Sequence, residues 1–298
     1  MKYLVTGGNG FIGSNLVDRL IKQGNEVIVL DNKSAESNEK FYYNNEATYY
    51  VYDICDKESI SPLFKDVDVV FHLAAESRIQ PTLKNPVLAS QVNVTGTCNI
   101  LQCAKENNVS RVIYSSTSSG YGLKNKCPLR EDMPNDCLNP YSVTKIAAEN
   151  LCTMYSDLFS LETVSLRYFN VYGDRQPLKG QYAPVVGIFL RQSRAGENMT
   201  IVGDGEQRRD FTHVEDIVEA NIKAADLDNK KPVGEVINVG TGTNYSILEV
   251  AKMISNKYEF IPFRQGEAQD TLADTTKLNK LLGFTPSSKI KEYIEGQI

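Results

Sequence analysis

A tyrosine and a lysine lie one helical turn apart in NPYSVTK (139–145), directly after a proline that suits the first turn of a helix. On a helix, Tyr141 and Lys145 would share one face, with their side chains about 6 Å apart. A tyrosine with a pKa of about 10 is a poor base at neutral pH, but a neighbouring ammonium group favours the phenolate. The pair could therefore transfer protons, although the same spacing also occurs in ordinary solvated helices.

Glycines follow the first apolar run, in VTGGNGFIGSNL (5–16). Gly7, Gly10 and Gly13 would permit a tight turn, the close approach of a pyrophosphate, and its binding at a positive helix N-terminus. Asp31 ends the second apolar run, where a carboxylate can accept both ribose hydroxyls and would repel a 2′-phosphate. Asp31 could instead be a solvated turn residue. The pattern predicts a dinucleotide site that favours NAD over NADP.

Short apolar, β-branched segments alternate with amphipathic segments of helical length. Strands that are apolar almost throughout and are separated by helices indicate a parallel sheet covered on both faces. In the first 170 residues the expected strands are 2–6, 26–30, 48–53, 68–74, 111–116 and 163–169, and the expected helices are 11–23, 86–107 and 141–158. After residue 184 we expect helices near 184–195 and at 214–227, and strands at 199–203, 208–213 and 235–240.

This alternation weakens in the Gly-, Pro- and charge-rich stretch 171–184 and returns at 214–240. The chain should therefore form a doubly wound α/β parallel sheet of the Rossmann type, with a smaller C-terminal α/β domain for the substrate. We expect the dinucleotide-binding domain to comprise 1–170 and 214–241, and the substrate domain to comprise 171–213 and 242–298.

Composition excludes several classes of function. The net charge is −5 and there is no basic tract, which argues against a nucleic-acid partner. The six cysteines show no CxxC spacing and neither histidine is near a cysteine pair, so we expect reduced thiols and no metal site. The start MKYLVTGG does not look like a signal peptide, and no apolar run is long enough to span a membrane, so we expect a soluble, cytoplasmic protein.

Further motifs follow the glycine loop in an order and spacing typical of one family. They are VFHLAA (70–75), NVTGT (93–97), SSTSSGYG (115–122), YSVTK (141–145) and LRYFNVYG (166–173). With them the chain resembles the extended short-chain dehydrogenase/reductase family, and more narrowly its NAD-dependent nucleotide-sugar epimerases and dehydratases. The resemblance covers nearly the whole chain and implies NAD as cofactor and a UDP-sugar as substrate.

The resemblance also implies a set of site residues. Thr117, Tyr141 and Lys145 would be catalytic: Thr117 would hydrogen-bond the reacting hydroxyl, and Lys145 would also hold the nicotinamide ribose. The implied cofactor contacts are Gly7, Gly10, Phe11, Ile12, Gly13, Asp31, Asn32, Asp53, Ile54, Leu73, Ala74, Ala75, Asn93, Ser115, Tyr141, Lys145 and Tyr168. The implied substrate contacts are Ser77, Thr117, Tyr141, Asn170, Arg209, Arg264 and Thr271.

The residues after Thr117 discriminate among reactions. Dehydratases of the family carry Asp-Glu there and the related decarboxylases carry a Glu at the second position, whereas this chain has Ser118 and Ser119. Neither serine can replace a carboxylate, so dehydration and decarboxylation are disfavoured. Reversible oxidation at C4, which epimerises the sugar through a transient 4-keto form, remains. Gly120 departs from the family's usual apolar residue, which leaves the local backbone geometry open.

The second half of the chain suggests how the substrate is held. Arg209 and Arg264 could grip a pyrophosphate bidentately, whereas Arg208 suits a surface salt bridge. In the 4-epimerases a tyrosine at the position of Thr271 restricts the pocket to glucose and galactose, and a small residue admits a 2-acetamido group. Thr271 therefore favours UDP-GlcNAc/UDP-GalNAc, with or without UDP-Glc/UDP-Gal.

Other interpretations stay open. The chain could act on another nucleotide sugar such as UDP-GlcA, or be a dehydratase or oxidoreductase of the same family. A non-catalytic NAD-binding protein is disfavoured, because a sensor needs no base. The helices at 86–107 and 141–158 resemble those of the family's intersubunit four-helix bundle, which implies a homodimer, although their apolar positions could instead cover the chain's own sheet.

Overall fold

The computed structural model describes residues 1–35, 40–178, 183–263 and 268–298. Its strands are β1 Lys2–Thr6, β2 Glu26–Leu30, β3 Thr48–Tyr50, β4 Val69–His72, β5 Arg111–Thr117, β6 Glu162–Tyr168, β7 Val171–Tyr172, β8 Met199–Val202, β9 Arg208–Asp210, β10 Thr212–His213, β11 Val236–Val239, β12 Asn244–Ser246 and β13 Tyr258–Ile261. Its α-helices are α1 Phe11–Lys22, α2 Lys57–Ile60, α3 Ile79–Lys84, α4 Pro86–Ser90, α5 Thr97–Glu106, α6 Pro140–Phe159, α7 Val185–Arg194, α8 Val214–Ala225, α9 Ile247–Ile254, α10 Thr276–Leu282 and α11 Ile290–Glu295.

A seven-stranded parallel sheet forms the centre, with strand order β11-β6-β5-β4-β1-β2-β3. The chain leaves β1 in one direction through β2 and β3, and then returns to add β4, β5 and β6 on the other side. The order reverses between β1 and β4, where the carboxyl ends of a doubly wound sheet leave a crevice for a ligand. The predicted doubly wound α/β fold is confirmed.

Strand side chains alternate between two apolar clusters, one on each face of the sheet. In β1, Tyr3 and Val5 belong to the first cluster and Leu4 to the second, as the two-residue period of a strand requires. Helices α1, α8 and α10 cover the first face, and α2, α5 and α6 cover the second. Both faces are therefore dry, which explains the almost uninterrupted apolar strands.

A third apolar cluster lies outside the large sheet. It joins α7, β8, α9 and α11 through residues such as Phe189, Met199, Val250 and Ile290. All its buried members come from the two stretches expected to form the substrate domain. Helix α10 comes from the second of these stretches, but Leu278 packs in the first cluster beneath the large sheet.

The single helix expected at 86–107 is instead divided into α4, a π-helical segment at Gln91–Gly96, and α5. Asn93 in that segment is buried and uses its side-chain amide on neighbouring groups of the fold. Apolar periodicity does not report such tertiary hydrogen bonds, so it predicted one continuous helix.

Candidate active site

A cavity of about 530 Å³ opens at the carboxyl ends of the central strands. It extends from the glycine loop after β1 to Arg209 and Thr271 beyond the sheet. The cavity brings together most of the residues predicted for the site. Those lining it are Gly7, Gly10, Phe11, Ile12, Gly13, Asp31, Asn32, Ile54, Leu73, Ala74, Ala75, Ser77, Ser115, Thr117, Tyr141, Lys145, Tyr168, Asn170, Arg209 and Thr271.

The glycine loop is packed too closely for side chains. Gly7 has φ +70°, and a Cβ placed there would lie 2.9 Å from the backbone nitrogen of Ala74. A Cβ on Gly13 would lie 2.3 Å from the carbonyl oxygen of Gly7. Helix α1 begins after Gly10, which forms no side-chain cap, so backbone N–H groups are exposed toward the cavity. This cradle fits the pyrophosphate of a dinucleotide.

The carboxylate of Asp31 is fixed at the end of β2. Its oxygens accept hydrogen bonds from the backbone N–H of Asn9 (3.0 Å) and of Lys33 (2.8 Å), while burial raises its pKa. Asp53 lies further out: it is exposed, does not line the cavity, and accepts a hydrogen bond from the Asn32 amide at 3.1 Å. Asp53 would therefore act on a cofactor only through Asn32, which does line the cavity.

Asn93 lies behind the cavity wall. Its side-chain oxygen accepts from the Glu76 N–H (2.8 Å), and its amide nitrogen donates to the Glu76 carbonyl (3.0 Å) and to the Thr144 hydroxyl (2.9 Å). All its polar atoms thus hold the segment that follows β4 against α6. The residue shapes the cavity from behind and does not line it.

Tyr141 is positioned by the N-terminus of α6. The Asn139 side chain caps this helix by accepting from the Ser142 N–H at 2.9 Å, so Tyr141 is held in the first turn. Thr117, at the end of β5, lines the same cavity as Tyr141. Burial raises the pKa of Tyr141, whereas the Thr117 hydroxyl and the positive charge of Arg78 lower it.

Lys145 follows one turn later on α6 and is buried. Its Nζ lies 4.3 Å from the centre of the Tyr114 ring, and burial lowers its pKa to about 7. The sequence predicted that Lys145 would help to ionise Tyr141. The role of Lys145 stays a prediction, and the charge of Arg78, which none of the sequence motifs had marked, lowers the pKa of Tyr141.

A buried ion pair fixes α6 against the sheet. Arg167 of β6 donates to both carboxylate oxygens of Glu149, at 2.6 and 3.0 Å, and the Ser116 hydroxyl donates to the same carboxylate at 2.6 Å. Glu149 is one turn beyond Lys145 on α6, and Ser116 directly precedes Thr117 on β5. This network therefore sets the distance between α6, which carries Tyr141 and Lys145, and the end of β5, which carries Thr117. The sequence signal for this ion pair is the presence of a charged residue, Arg167 or Glu149, within an otherwise apolar strand or helix.

Tyr168 closes the floor of the cavity. Its hydroxyl lies 3.0 Å from the Ser115 hydroxyl and accepts from the Asn221 amide at 2.7 Å, and burial raises its pKa to about 12. Tyr168 is therefore a neutral, oriented hydrogen-bonding group and not a second base.

The far end of the cavity is built from β9 and the segments beside it. Asn170 (φ +30°) donates to the Asp210 carbonyl (2.9 Å) and to the Thr271 hydroxyl (3.1 Å), which ties three segments of the wall together. Arg209 donates to the Gln269 carbonyl at 2.9 Å and still lines the cavity. Arg208 forms a salt bridge with Glu249 at 3.1 Å, as expected.

Arg264 lies outside the described residues. A second cavity of about 290 Å³ adjoins the first and shares Arg78, Asn170 and Arg209 with it. Its other walls include the apolar side chains of Val186, Phe189, Phe211 and Ile247, together with the amide of Gln207.

Ser118 and Ser119, the residues that led the sequence analysis to disfavour dehydration and decarboxylation, line the first cavity. They belong to a 3₁₀ turn at Ser118–Tyr121. A Cβ on Gly120 in this turn would lie 2.6 Å from the Ile146 side chain. Glycine at this position thus lets the turn pack directly against α6, which resolves the question its departure from the family pattern raised.

Membrane-spanning helices and metal-binding clusters are both absent from the described ranges. No helix there combines the length and the apolar character needed to cross a bilayer. No group of three or more His, Cys, Asp or Glu side chains there is arranged to hold a metal ion.

Comparison with known proteins gives consistent matches. Residues 3–240 match the model of the NAD dependent epimerase/dehydratase family. A putative UDP-glucose 4-epimerase of Methanocaldococcus jannaschii is 36% identical, over 98% of this chain and 95% of the relative. A UDP-glucose 4-epimerase structure from Thermotoga maritima with UDP-glucose is 33% identical, with a TM-score of 0.92 over 99% of this chain and 96% of the other. A UDP-N-acetylglucosamine 4-epimerase structure from Methanobrevibacter ruminantium, in complex with UDP-N-acetylmuramic acid, gives the same identity, TM-score and coverage.

Proposed function

The chain belongs to the NAD-dependent epimerase/dehydratase family, and we propose that it inverts C4 of UDP-hexoses through a transient 4-keto sugar. One observation carries the proposal: Thr117 and Tyr141 line the same cavity as the glycine loop. Ser118 and Ser119 stand where a dehydratase or decarboxylase would need carboxylates, so the chain has the groups for oxidation at C4 and lacks those for elimination there.

The cavity suits NAD. The N–H groups around Gly10 would hold the pyrophosphate, Asp31 would accept the ribose hydroxyls, and Lys145 and Tyr168 would flank the nicotinamide end. NAD, when bound, supplies the centre that accepts a hydride from the sugar and returns it. Because the cofactor is restored in each cycle, we expect it to bind tightly and not to behave as a cosubstrate.

Tyr141 and Thr117 would handle the proton. Tyr141 as phenolate removes the proton of the 4-hydroxyl group, while the Thr117 hydroxyl orients that oxygen. Tyr141 then returns the proton after the 4-keto sugar has turned its other face toward the cofactor. The tyrosine is thus base in the first half of the cycle and acid in the second.

The second cavity would hold the nucleotide. Its apolar walls, with the Gln207 amide, suit a base, and Arg209 at the junction of the two cavities suits the diphosphate. Arg264 remains a proposed second phosphate contact. Anchoring by the diphosphate would leave the sugar free to rotate between its two reacting orientations.

Thr271 supports an open sugar pocket. The residue is buried and contacts Asn170 through its hydroxyl, so little volume is filled at that wall. We therefore propose UDP-GlcNAc/UDP-GalNAc, UDP-Glc/UDP-Gal, or both pairs, as substrates. The relatives named for UDP-glucose and for UDP-N-acetylglucosamine support this range.

A homodimer, a cytoplasmic location and a role in carbohydrate metabolism complete the proposal. The dimer is supported by an apolar stripe along α6, where Val143 (52%) and Leu158 (70%) are exposed and Ala147 and Met154 lie half-buried between them. The division into a dinucleotide domain (1–170, 214–241) and a substrate domain (171–213, 242–298) is likewise proposed.

The proposed function is tested by product analysis. Purified protein is incubated separately with UDP-Glc, UDP-GlcNAc and UDP-GlcA, without an added electron acceptor, and the products are resolved by NMR. We expect an equilibrium mixture of C4 epimers with unchanged mass from at least one neutral UDP-hexose. Loss of water or carbon dioxide, or stoichiometric NADH release, would assign another reaction of the family.

A further inference from the structure

Arg78 lies where the two cavities meet and lines both of them. It is the residue before α3, and α3 packs against α6, whose first turn carries Tyr141. The Arg78 Nε is buried without a hydrogen-bond partner, and no ion pair in the described ranges includes this side chain. A guanidinium group thus reaches the reaction cavity without a carboxylate to neutralise it.

Such a group is costly to bury, because a charge removed from water needs a compensating partner. Burial lowers the pKa of Arg78, but an arginine remains protonated in proteins. Its charge is therefore permanent. The natural partner of a permanent charge in the cavity is an anion, and the phenolate of Tyr141, which lines the same cavity, is an anion that forms during the working cycle.

The other charged and titratable groups around Tyr141 are engaged elsewhere or neutral. Lys145, on the same helix, lies over the Tyr114 ring, and Glu149 is paired with Arg167. On the strands behind α6, burial lowers the pKa of His72 to about 3, so it is neutral. Burial raises the pKa of Tyr114 well above its ordinary value, so it too is neutral. Glu76, on the segment that carries Arg78, also lines the cavity and has a partner of its own.

We propose that Arg78 is the fixed positive charge that stabilises the phenolate of Tyr141 and so prepares it to act as the base. The inference rests on the proposed function for the role of Tyr141, but not for the ionisation itself. In the first half-reaction the O–H and C4–H bonds of the sugar break and a C=O bond forms. The proton passes to Tyr141, the hydride would pass to bound NAD, and the phenolate charge disappears. The second half-reaction restores it. Arg78 thus sets the fraction of enzyme that is ready to react at neutral pH.

The test is a pH titration of the NAD-loaded protein, read by the ultraviolet absorbance of tyrosinate and by kcat. Tyr141→Phe identifies which ionisation belongs to this residue. Arg78→Gln removes the charge while keeping hydrogen-bonding capacity, and Arg78→Lys restores the charge. The matched control is Arg130→Gln, which removes a positive charge from an exposed residue paired with Asp132.

In Arg78→Gln we expect the pKa of Tyr141 and the midpoint of the acidic limb of the kcat–pH profile to rise together, by roughly one to three pH units. At neutral pH kcat should then fall about tenfold for each unit. Arg78→Lys should recover most of this shift, and Arg130→Gln should show none. An unchanged Tyr141 ionisation in Arg78→Gln overturns the proposal, and a raised KM for the UDP-sugar would then reassign Arg78 to substrate binding.

Failure of the inference can be separated from failure of the proposed function. The absorbance titration needs no turnover, so it reports the Arg78–Tyr141 interaction even in a protein that epimerises none of the UDP-sugars. A shifted ionisation without activity would uphold the interaction and refute the reaction. Epimerase activity with an unshifted Tyr141 ionisation would uphold the reaction and refute the interaction.

Discussion

Tyr141 owes its role to its surroundings. The Asn139 cap, which contributes about 1 kcal/mol to a typical helix, holds Tyr141 in the first turn of α6 within reach of Thr117. Burial alone would keep the phenol protonated, so its basicity must come from groups that oppose burial. The YSVTK motif predicted the base from its spacing, but the contribution of Arg78 depends on how α3 packs on α6 and was invisible in the sequence.

Tyr141→Phe should abolish turnover while leaving the fold and bound NAD in place. The substitution removes one hydroxyl, whose loss takes away proton transfer worth about 10²- to 10⁴-fold in rate. The measurement is kcat by coupled assay, with NAD content and circular dichroism as controls. Wild-type activity in this variant would refute the assignment of the base.

Thr271→Tyr should narrow the sugar range. A phenol at this wall would occupy the space left for a 2-acetamido group and would break the hydrogen bond to Asn170. We expect kcat/KM for UDP-GlcNAc to fall about tenfold or more relative to UDP-Glc. Thr285→Tyr, at an exposed position outside the cavity, is the control. An unchanged ratio in Thr271→Tyr would mean that this residue does not wall the sugar pocket.

Secondary-structure elements position the site by very close packing. The end of β1, the glycine loop and α1 fit together only without side chains at Gly7 and Gly13. The glycine pattern and the β-α alternation predicted this unit and the large sheet, because both follow from local chain geometry and apolar periodicity. The π-helical segment at Gln91–Gly96 and the short strand β7, in a stretch expected to be a loop, escaped prediction, since long-range contacts decide them.

Gly13→Ala should impair cofactor binding. The added methyl group would meet the Gly7 carbonyl at 2.3 Å, so α1 must shift away from the loop that cradles the pyrophosphate. We expect NAD affinity to fall at least about tenfold, together with a lower Tm. Calorimetric titration with NAD measures the affinity, and thermal unfolding measures the Tm. The control is Gly296→Ala, at φ −73° with no contact closer than 3.5 Å, which should change neither NAD affinity nor Tm. Retained NAD affinity in Gly13→Ala would contradict the role assigned to the glycine loop.

In the molecule as a whole, the reversal of strand order places the cofactor cradle, the catalytic hydroxyls and the second cavity in one continuous space. The sequence predicted the fold class, but it could not show which residues meet across that space. Asp53 and Asn93 match family positions yet lie outside the cavity wall. The same sheet leaves one long helix, α6, with apolar residues facing outward.

Leu158→Glu should convert the proposed dimer to a monomer. Leu158 is 70% exposed at the end of the stripe on α6, and a carboxylate there would be buried without a partner if two such helices packed together. Analytical ultracentrifugation measures the mass. Val51→Glu, at a similarly exposed apolar residue far from α6 in the sheet order, should leave the dimer intact. A dimeric Leu158→Glu protein would place the interface elsewhere, and a monomeric wild type would remove it.

The most direct test of the central claim follows an isotope. A UDP-hexose that the protein converts is labelled with deuterium at C4 and incubated in ordinary water, and both epimers are analysed by NMR and mass spectrometry. If hydrogen leaves C4 as a hydride that is held and returned, the deuterium stays at C4 in substrate and product alike. Replacement of the deuterium by hydrogen from water would show that C4 is deprotonated instead, and would contradict the account.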